Sequence, residues 1–259
     1  MIWRGLRSGL KRIVPPAVRY AWLKREIGLI RRRNRGRTVA EIFAEIYDRN
    51  RWGGSEGTFH SGSGSSAAHA AHYGQMVRDF IRLRSVRRVV DLGCGDFRIG
   101  AQLVDAGCIY SGVDIVPSLI ESNRRRYGSE RVRFECLNVI EDRLPPGDLC
   151  LIRQVLQHLS NEQISKVLRN VAGYRYVIVT EHYPAPGALR GKNLDKGCGE
   201  DVRIYDGSAV FLDAPPFNCT VSGPLLDVDA GHHLVRPGER ICSYLIENAG
   251  TDENPGTGV

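Results

Sequence analysis

The stretch Val89-Val90-Asp91-Leu92-Gly93-Cys94-Gly95-Asp96 constrains this chain more than any other. Two β-branched residues running into Asp91 and Leu92 read as a strand covered on both faces. Gly93 and Gly95 then permit backbone conformations and close approaches that a Cβ would forbid. Behind them Phe97, Ile99, Ala101, Leu103 and Val104 form the apolar side of an amphipathic run, which predicts a helix over Phe97–Asp105. Strand, glycine turn and helix in succession place backbone N–H groups where a negatively charged ligand can sit.

The chain beyond repeats the alternation. Arg87–Leu92, Tyr110–Ile115, Val132–Leu137, Asp148–Arg153 and Tyr176–Thr180 read as strands. Helices are expected from Pro117 to about Tyr127 and over Glu162–Val171. This is the pattern of an α/β fold, Rossmann-like and doubly wound, with a mostly parallel sheet. After Tyr183 the regularity stops: residues 183–216 are rich in Pro, Gly and Asp and are predicted to lie over the carboxyl ends of the strands. Phe217–Val221 and Ile241–Glu247 are expected to pair late in the chain and to supply an antiparallel strand. A single domain over 38–248 fits the 259 residues, and 249–259 reads as a disordered tail.

Charge is concentrated at the start. Residues 1–37 hold twelve Lys/Arg and one acid, Glu26, so the rest of the chain is net acidic although the whole carries +7. Two short basic helices broken at Pro15-Pro16 are expected there, with Ile2, Trp3, Leu6, Leu10 and Ile13 at helical spacing. Three readings stand for this extension. It could lie on an anionic membrane with Trp3 at the headgroups, touch nucleic acid through Arg31–Arg33, or pack an apolar edge on its own domain. Nucleic acid ranks last of the three.

A helix follows at 38–50, capped by Thr38, with Val39, Ile42, Phe43, Ile46 and Tyr47 on its inner face. The Gly- and Ser-rich stretch 52–66 is a loop, either a linker or a lid, and Trp52 within it favours a segment that folds over something. The seven cysteines are scattered, with no Cys-x-x-Cys, which argues against a disulfide framework or a structural zinc site. No run approaches the ~18–20 apolar residues of a membrane span. The first residues also lack a secretory leader's apolar region. A cytoplasmic protein is expected, peripheral at a membrane if the basic segment binds one.

Which ligand the turn takes follows from its side chains. A dinucleotide fingerprint needs a third glycine at position 98, where this chain has Arg98, and Asp91 and Asp96 would repel a pyrophosphate. A ligand carrying an ammonium and a sulfonium would be favoured by the same carboxylates. In this the segment resembles the first motif of the class I S-adenosylmethionine-dependent methyltransferases, and the likeness extends over roughly residues 75–182. It implies S-adenosylmethionine as cofactor, held by Asp91, Gly93, Cys94, Gly95 and Asp96. Asp114, followed by Ile115, matches the family's acid for the ribose hydroxyls. Asn138 and Val139 match the adenine contact, and Gln154 sits where the fourth strand nears the methionine part.

A narrower similarity joins Ile46-Tyr47, Asn50-x-Trp52-Gly53 and Ser61-Gly62-Ser63-Gly64-Ser65 to a bacterial methyltransferase group found beside polysaccharide and natural-product pathways. Asn193-x-Asp195, Arg203 and Phe211–Phe217 belong to the same pattern. The resemblance implies that the loop with Trp52 and Ser65 covers the cofactor and that the 190–217 segment, with Asp195 and Arg203 as candidate contacts, faces the acceptor, without fixing what that acceptor is. The expected acceptor is a small molecule or glycan, methylated at oxygen. A hydroxyl acceptor needs a base. His158, Glu181 and His182, each just beyond or at a strand's carboxyl end, are the catalytic candidates. No metal is expected. Readings of other classes are an RNA or protein methyltransferase and a non-catalytic, membrane-associated cofactor-binding subunit.

Overall fold

The computed structural model describes residues 15–53, 59–61, 67–231, 235 and 237–248. The first expected basic helix, the segments 54–58 and 62–66 with Ser65, His232-His233 and the expected tail lie outside the described residues.

Seven strands form one sheet in the order β3-β2-β1-β4-β5-β7-β6. β1 (Arg88–Leu92), β2 (Ile109–Asp114), β3 (Val132–Cys136), β4 (Leu149–Arg153) and β5 (Tyr176–Tyr183) are parallel. β7 (Arg240–Glu247) runs antiparallel between β5 and the edge strand β6 (Ser222–Asp229). The chain order reverses between β1 and β4, and a crevice opens there at the carboxyl edge. β1 alternates its side chains between two cores. Val89 joins Leu149, Leu151, Tyr110 and Ile178 on one face, while Val90 and Leu92 join Ile152, Val177, Ile164 and Val167 on the other. Helix α3 (Ala67–Leu83) covers the first face, and α5 (Asn161–Asn170) the second. Helix α4 (Pro117–Tyr127) follows β2 with proline in its first turn, where the missing N–H costs nothing.

Two expectations need correction. The chain after the glycine turn forms a 3₁₀-helix over Gly100–Ala106, not an α-helix over Phe97–Asp105. Phe97 sits at φ 63°, outside helical backbone, and Gly107 closes the segment at φ 83°. The late edge strand is Ser222–Asp229, and the stretch Phe217–Val221 precedes it. Pro224 disguises that strand in the sequence, yet an edge strand tolerates a residue with no N–H to donate.

Before the sheet come α1 (Pro16–Asn34) and α2 (Val39–Asp48). Thr38 and Glu41 form a capping box at the start of α2, which points its residues toward the carboxyl edge. α1 starts at Pro16 and binds the irregular segment 184–216 through charge. Lys24 pairs with Asp206 at 2.6 Å, Arg31 with Asp201 at 2.8 Å and also with Asp206, and Arg33 with Glu200 at 3.2 Å. Part of the basic run is therefore neutralised by the chain's own acids.

The irregular segment holds its shape through a few polar side chains. Asn193, at φ 52°, donates through Nδ2 to the carbonyls of Phe211, Ala214 and Pro215 and accepts the Phe211 N–H at 2.8 Å. Asn193→Ala should lower stability by roughly 2–4 kcal/mol, because it leaves several backbone groups without partners. Urea unfolding measures this, and a loss under half a kcal/mol would show that water replaces the staple.

Candidate functional site

A cavity of about 210 Å³ opens at the carboxyl ends of β1, β2 and β4. Its floor is the glycine turn. Gly93 has φ 71° and Gly95 φ 56°, and each is pressed from above: a Cβ on Gly93 would lie 2.4 Å from Val155 Cγ2, and one on Gly95 would lie 2.3 Å from Ser61 Oγ. Neither position could carry a side chain without displacing its neighbours.

The amide protons of this turn are already used. Gly93 N–H and Cys94 N–H donate to Val113 O at 2.7 and 3.0 Å, and Gly95 N–H donates to Asp114 Oδ2 at 3.1 Å. Asp96 N–H donates to Ser61 Oγ at 2.8 Å, Phe97 N–H to Cys94 O, and Arg98 N–H to Asp96 Oδ1. The expected cradle of open amides for an anion is therefore not formed. What the turn presents instead is acceptors: Asp91, Asp96 and Asp114 all line the cavity.

Asp91 is buried and accepts from Tyr110 Oη at 2.6 Å. Burial pushes it up to about 6, against that hydrogen bond and the nearby charge of Arg153. Burial likewise pushes Asp114 up to about 6, against the amides of Gly95, Val116 and Ile115. A carboxylate has about four lone-pair sites, so Asp114 retains capacity for hydroxyl donors. Asp96 accepts from Ser61 N–H at 3.2 Å and pairs with Arg98 at 2.6 Å. Ser61 also lies 3.1 Å from Tyr47 Oη. The described part of the 52–66 loop is thus tied to the turn in both directions.

The side walls are apolar and aromatic. Ile115, Asn138, Val139 and Ile140 form one wall, and Val39, Phe43, Tyr47 and Trp52 another. Asn138 accepts the Ile140 N–H on Oδ1 and donates to Glu141, so its side chain shapes its own turn. Gln154, at φ 56°, and Gln157 line the cavity as well. Gln154 Nε2 and Gln157 Oε1 are buried with no hydrogen-bond partner among the described residues. Such groups are costly unless a ligand or water meets them.

The three catalytic candidates separate by environment. His158 is on the wall, its ring 5.4 Å from that of Trp52, and its Nδ1 lies 3.1 Å from Gly199 O. A carbonyl can only accept, so Nδ1 carries the proton. Burial pushes this imidazole down to about 4, with Lys196 adding to the effect, and leaves it a weak base. Glu181 is not on the cavity wall. It accepts the Leu156 N–H at 2.9 Å and supports the 3₁₀-turn Leu156–His158; burial pushes it up to about 8, which keeps it protonated at neutral pH. His182 does reach the wall, and its Nε2 lies 3.2 Å from Oε2 of the buried Glu239, whose Oε1 accepts the Val235 N–H at 2.7 Å.

This fold recurs in solved structures. A 1,6-didemethyltoxoflavin-N1-methyltransferase from Burkholderia thailandensis, with bound 1,6-didemethyltoxoflavin and S-adenosylhomocysteine, superposes with a TM-score of 0.51 at 15% identity. The match covers 81% of this chain and 88% of that one. Magnesium protoporphyrin IX methyltransferase from Synechocystis PCC 6803, with bound S-adenosylhomocysteine, gives 0.50 at 16% identity over 81% of this chain and 100% of that one. Residues 90–174, from β1 to just short of β5, match the methyltransferase domain family. The fold is that of the class I methyltransferases. The chain spans 61% of the length of human N-acetylserotonin methyltransferase, which it matches over 83% of its own length with 15% identity and a TM-score of 0.47. A sequence search of curated proteins returns no match.

Within this class I fold, the described residues expected around the cofactor are brought together, with Gly95 beneath the wall rather than on it, while Ser65 lies outside the described residues. Asp195 and Arg203 are not. Asp195 Oδ1 accepts the N–H groups of Asn161 and Lys196, both at 2.8 Å. Arg203 is 1% exposed and donates to Leu194 O and Leu159 O, each at 2.7 Å. They bind backbone, not an acceptor. From the same segment Glu200, Val202 and Tyr205 reach the cavity instead. The sequence reading also passed over Arg153, Ser61 and Glu239; only Ser61, four residues before Ser65 in one motif, carried a signal. Among the described residues no three His, Cys, Asp or Glu side chains converge as metal ligands. Arg203→Met should cost roughly 2–4 kcal/mol in urea unfolding, because two buried carbonyls lose their donor, while cofactor affinity stays near the parent's. A variant of unchanged stability with lost acceptor affinity would restore the substrate role.

Proposed function

We propose that this chain transfers the methyl group of S-adenosylmethionine to a hydroxyl of a small molecule or glycan. One observation carries the cofactor reading: the glycine turn satisfies its own amides and faces the cavity with carboxylates, which suits a cationic ligand with ribose hydroxyls and disfavours a phosphate. Asp114 would accept from the ribose, and Ile115, Asn138, Val139 and Ile140 would enclose the adenine. Asp91, Gly93, Gln154 and the guanidinium of Arg153 would surround the methionine part. When bound, the cofactor supplies an electrophilic methyl carbon on a sulfonium. The two relatives superposing at 0.50 and above are named for small-molecule substrates, which supports an acceptor of that class.

For such a displacement the protein's work is alignment and the exclusion of water. Trp52, Phe43 and Tyr47 close one side of the cavity, and Val202 and Tyr205 the other. His182 is the base in this reading, holding the proton that the acceptor hydroxyl gives up, and Glu239 holds its ring. His158 shapes the wall, and Glu181 positions the loop that bears Gln154 and Gln157. Nucleic acid is not the proposed acceptor, since Arg31 and Arg33 are engaged by Asp201, Asp206 and Glu200.

Asp114→Asn should weaken S-adenosylmethionine binding by roughly 1.5–3 kcal/mol, more than tenfold, in calorimetry. The pH dependence has a definite sign. Asp91 and Asp114 must be ionised to serve this ligand, yet in the free protein each takes up a proton near pH 6. Affinity is therefore full above that pH and falls, by up to about tenfold per unit for each group, as pH drops through it. Proton release on binding near pH 6 accompanies this. Binding that is indifferent to pH and to Asp114→Asn removes the cofactor assignment.

The base is tested separately. A panel of hydroxylated small molecules and glycans, screened for S-adenosylhomocysteine release, supplies the acceptor. With it, Glu239→Gln should lower kcat about tenfold or more, with cofactor affinity unchanged. An unaltered kcat would reduce Glu239 to a structural residue.

A further inference from the structure

Helix α1 is divided lengthwise into three stripes. Ile27 and Asn34 are buried inward. Lys24 and Arg31, beside them, pair with Asp206 and Asp201. The outer stripe holds Val18, Trp22 and Leu29, which are 40%, 48% and 58% exposed. Arg25 and Arg32 lie among them, also exposed, and neither joins an ion pair among the described residues. At ~100° per residue these five side chains project within about 80° of one another. Large apolar groups and cations thus share one narrow face.

We propose that the outer face of α1 docks on an anionic lipid surface. Val18, Trp22 and Leu29 would enter the boundary between headgroups and acyl chains, and Arg25 and Arg32 would meet lipid phosphates. Charge complementarity selects this occupant. A second copy applying the same face would bring the arginines of both helices together, and a nucleic acid would have no use for the apolar residues between them. In the sequence just before α1, Arg4, Arg7, Lys11 and Arg12 add positive charge that an anionic surface also rewards. On the other flank of α1, Lys24 and Arg31 brace it by ion pairs against the segment that supplies Glu200, Val202 and Tyr205 to the cavity. A docked helix would therefore hold the cavity in a set orientation over the lipid. This inference is independent of which methyl acceptor is used.

The test is co-sedimentation of the full chain with phosphatidylcholine vesicles, with and without phosphatidylglycerol. Binding is expected to the anionic vesicles and to weaken with added salt. R25Q/R32Q should lower the partition coefficient roughly 25-fold, at about fivefold per charge removed. W22S/L29S should also lower it, with circular dichroism and cofactor affinity as in the parent. The proposal is overturned if the parent ignores anionic vesicles, or if both variants partition like the parent. It is equally overturned if ultracentrifugation without lipid shows a dimer that W22S/L29S dissolves. RNA binding lost in R25Q/R32Q but kept in W22S/L29S would assign the face to nucleic acid instead.

Discussion

Where the amide protons of the glycine turn go decides what the cavity can accept. Six consecutive N–H groups, from Gly93 to Arg98, find partners inside the chain. Two of those partners, Val113 O and Asp114, belong to the end of β2, so the turn is bonded sideways to the next strand. This is what holds Asp114 at the rim, and it requires the parallel register of β1 and β2. A turn of the same shape with open amides would attract phosphate. With its donors occupied, it leaves a surface of carboxylates whose ionisation is opposed by burial and would be restored by a positively charged guest.

The opposite side of the cavity is assembled by a different device. The loop after β4 carries Gln154, Gln157 and His158 and has little regular structure of its own. Glu181 supports it from β5, Arg203 bonds Leu159 O at its end, and Gly199 exchanges bonds with His158. The segment 184–216 is in turn pinned by Asn193 and clamped by α1. Polar side chains bonded to backbone replace the ladder of a sheet here. Such contacts are directional, and they can hold irregular chain in one shape where apolar burial alone would permit several.

These two halves differ in how far they can be read from sequence. The strand, the two glycines and Asp114 were legible because each is a local pattern with a short-range cause: β-branched pairs, positive φ, an acid ending a strand. Thr38 with Glu41 was legible for the same reason. Asp195 and Arg203 were misread because charged residues in an irregular segment look like ligand contacts, while their partners are backbone carbonyls and amides that no side-chain pattern announces. Ser61 and Glu239 depend on contacts across 35 and 57 residues, to Asp96 and His182. β6 was displaced because Pro224 argues against a strand until the edge position is known.

The antiparallel strand β7 has a further consequence. The wall that includes the glycine turn is drawn from chain before residue 160, whereas the facing wall draws on His182, Glu200, Val202 and Tyr205, with Glu239 behind His182. The two walls are thus contiguous blocks of sequence, joined beneath the crevice by the bonds of Glu181, Gly199 and Arg203 to the loop after β4. Substitutions at Glu200, Val202 or Tyr205, which line the cavity, can reshape the later wall while the bonds beneath it keep the earlier one in place. A cavity arranged this way can be altered on one side at a time.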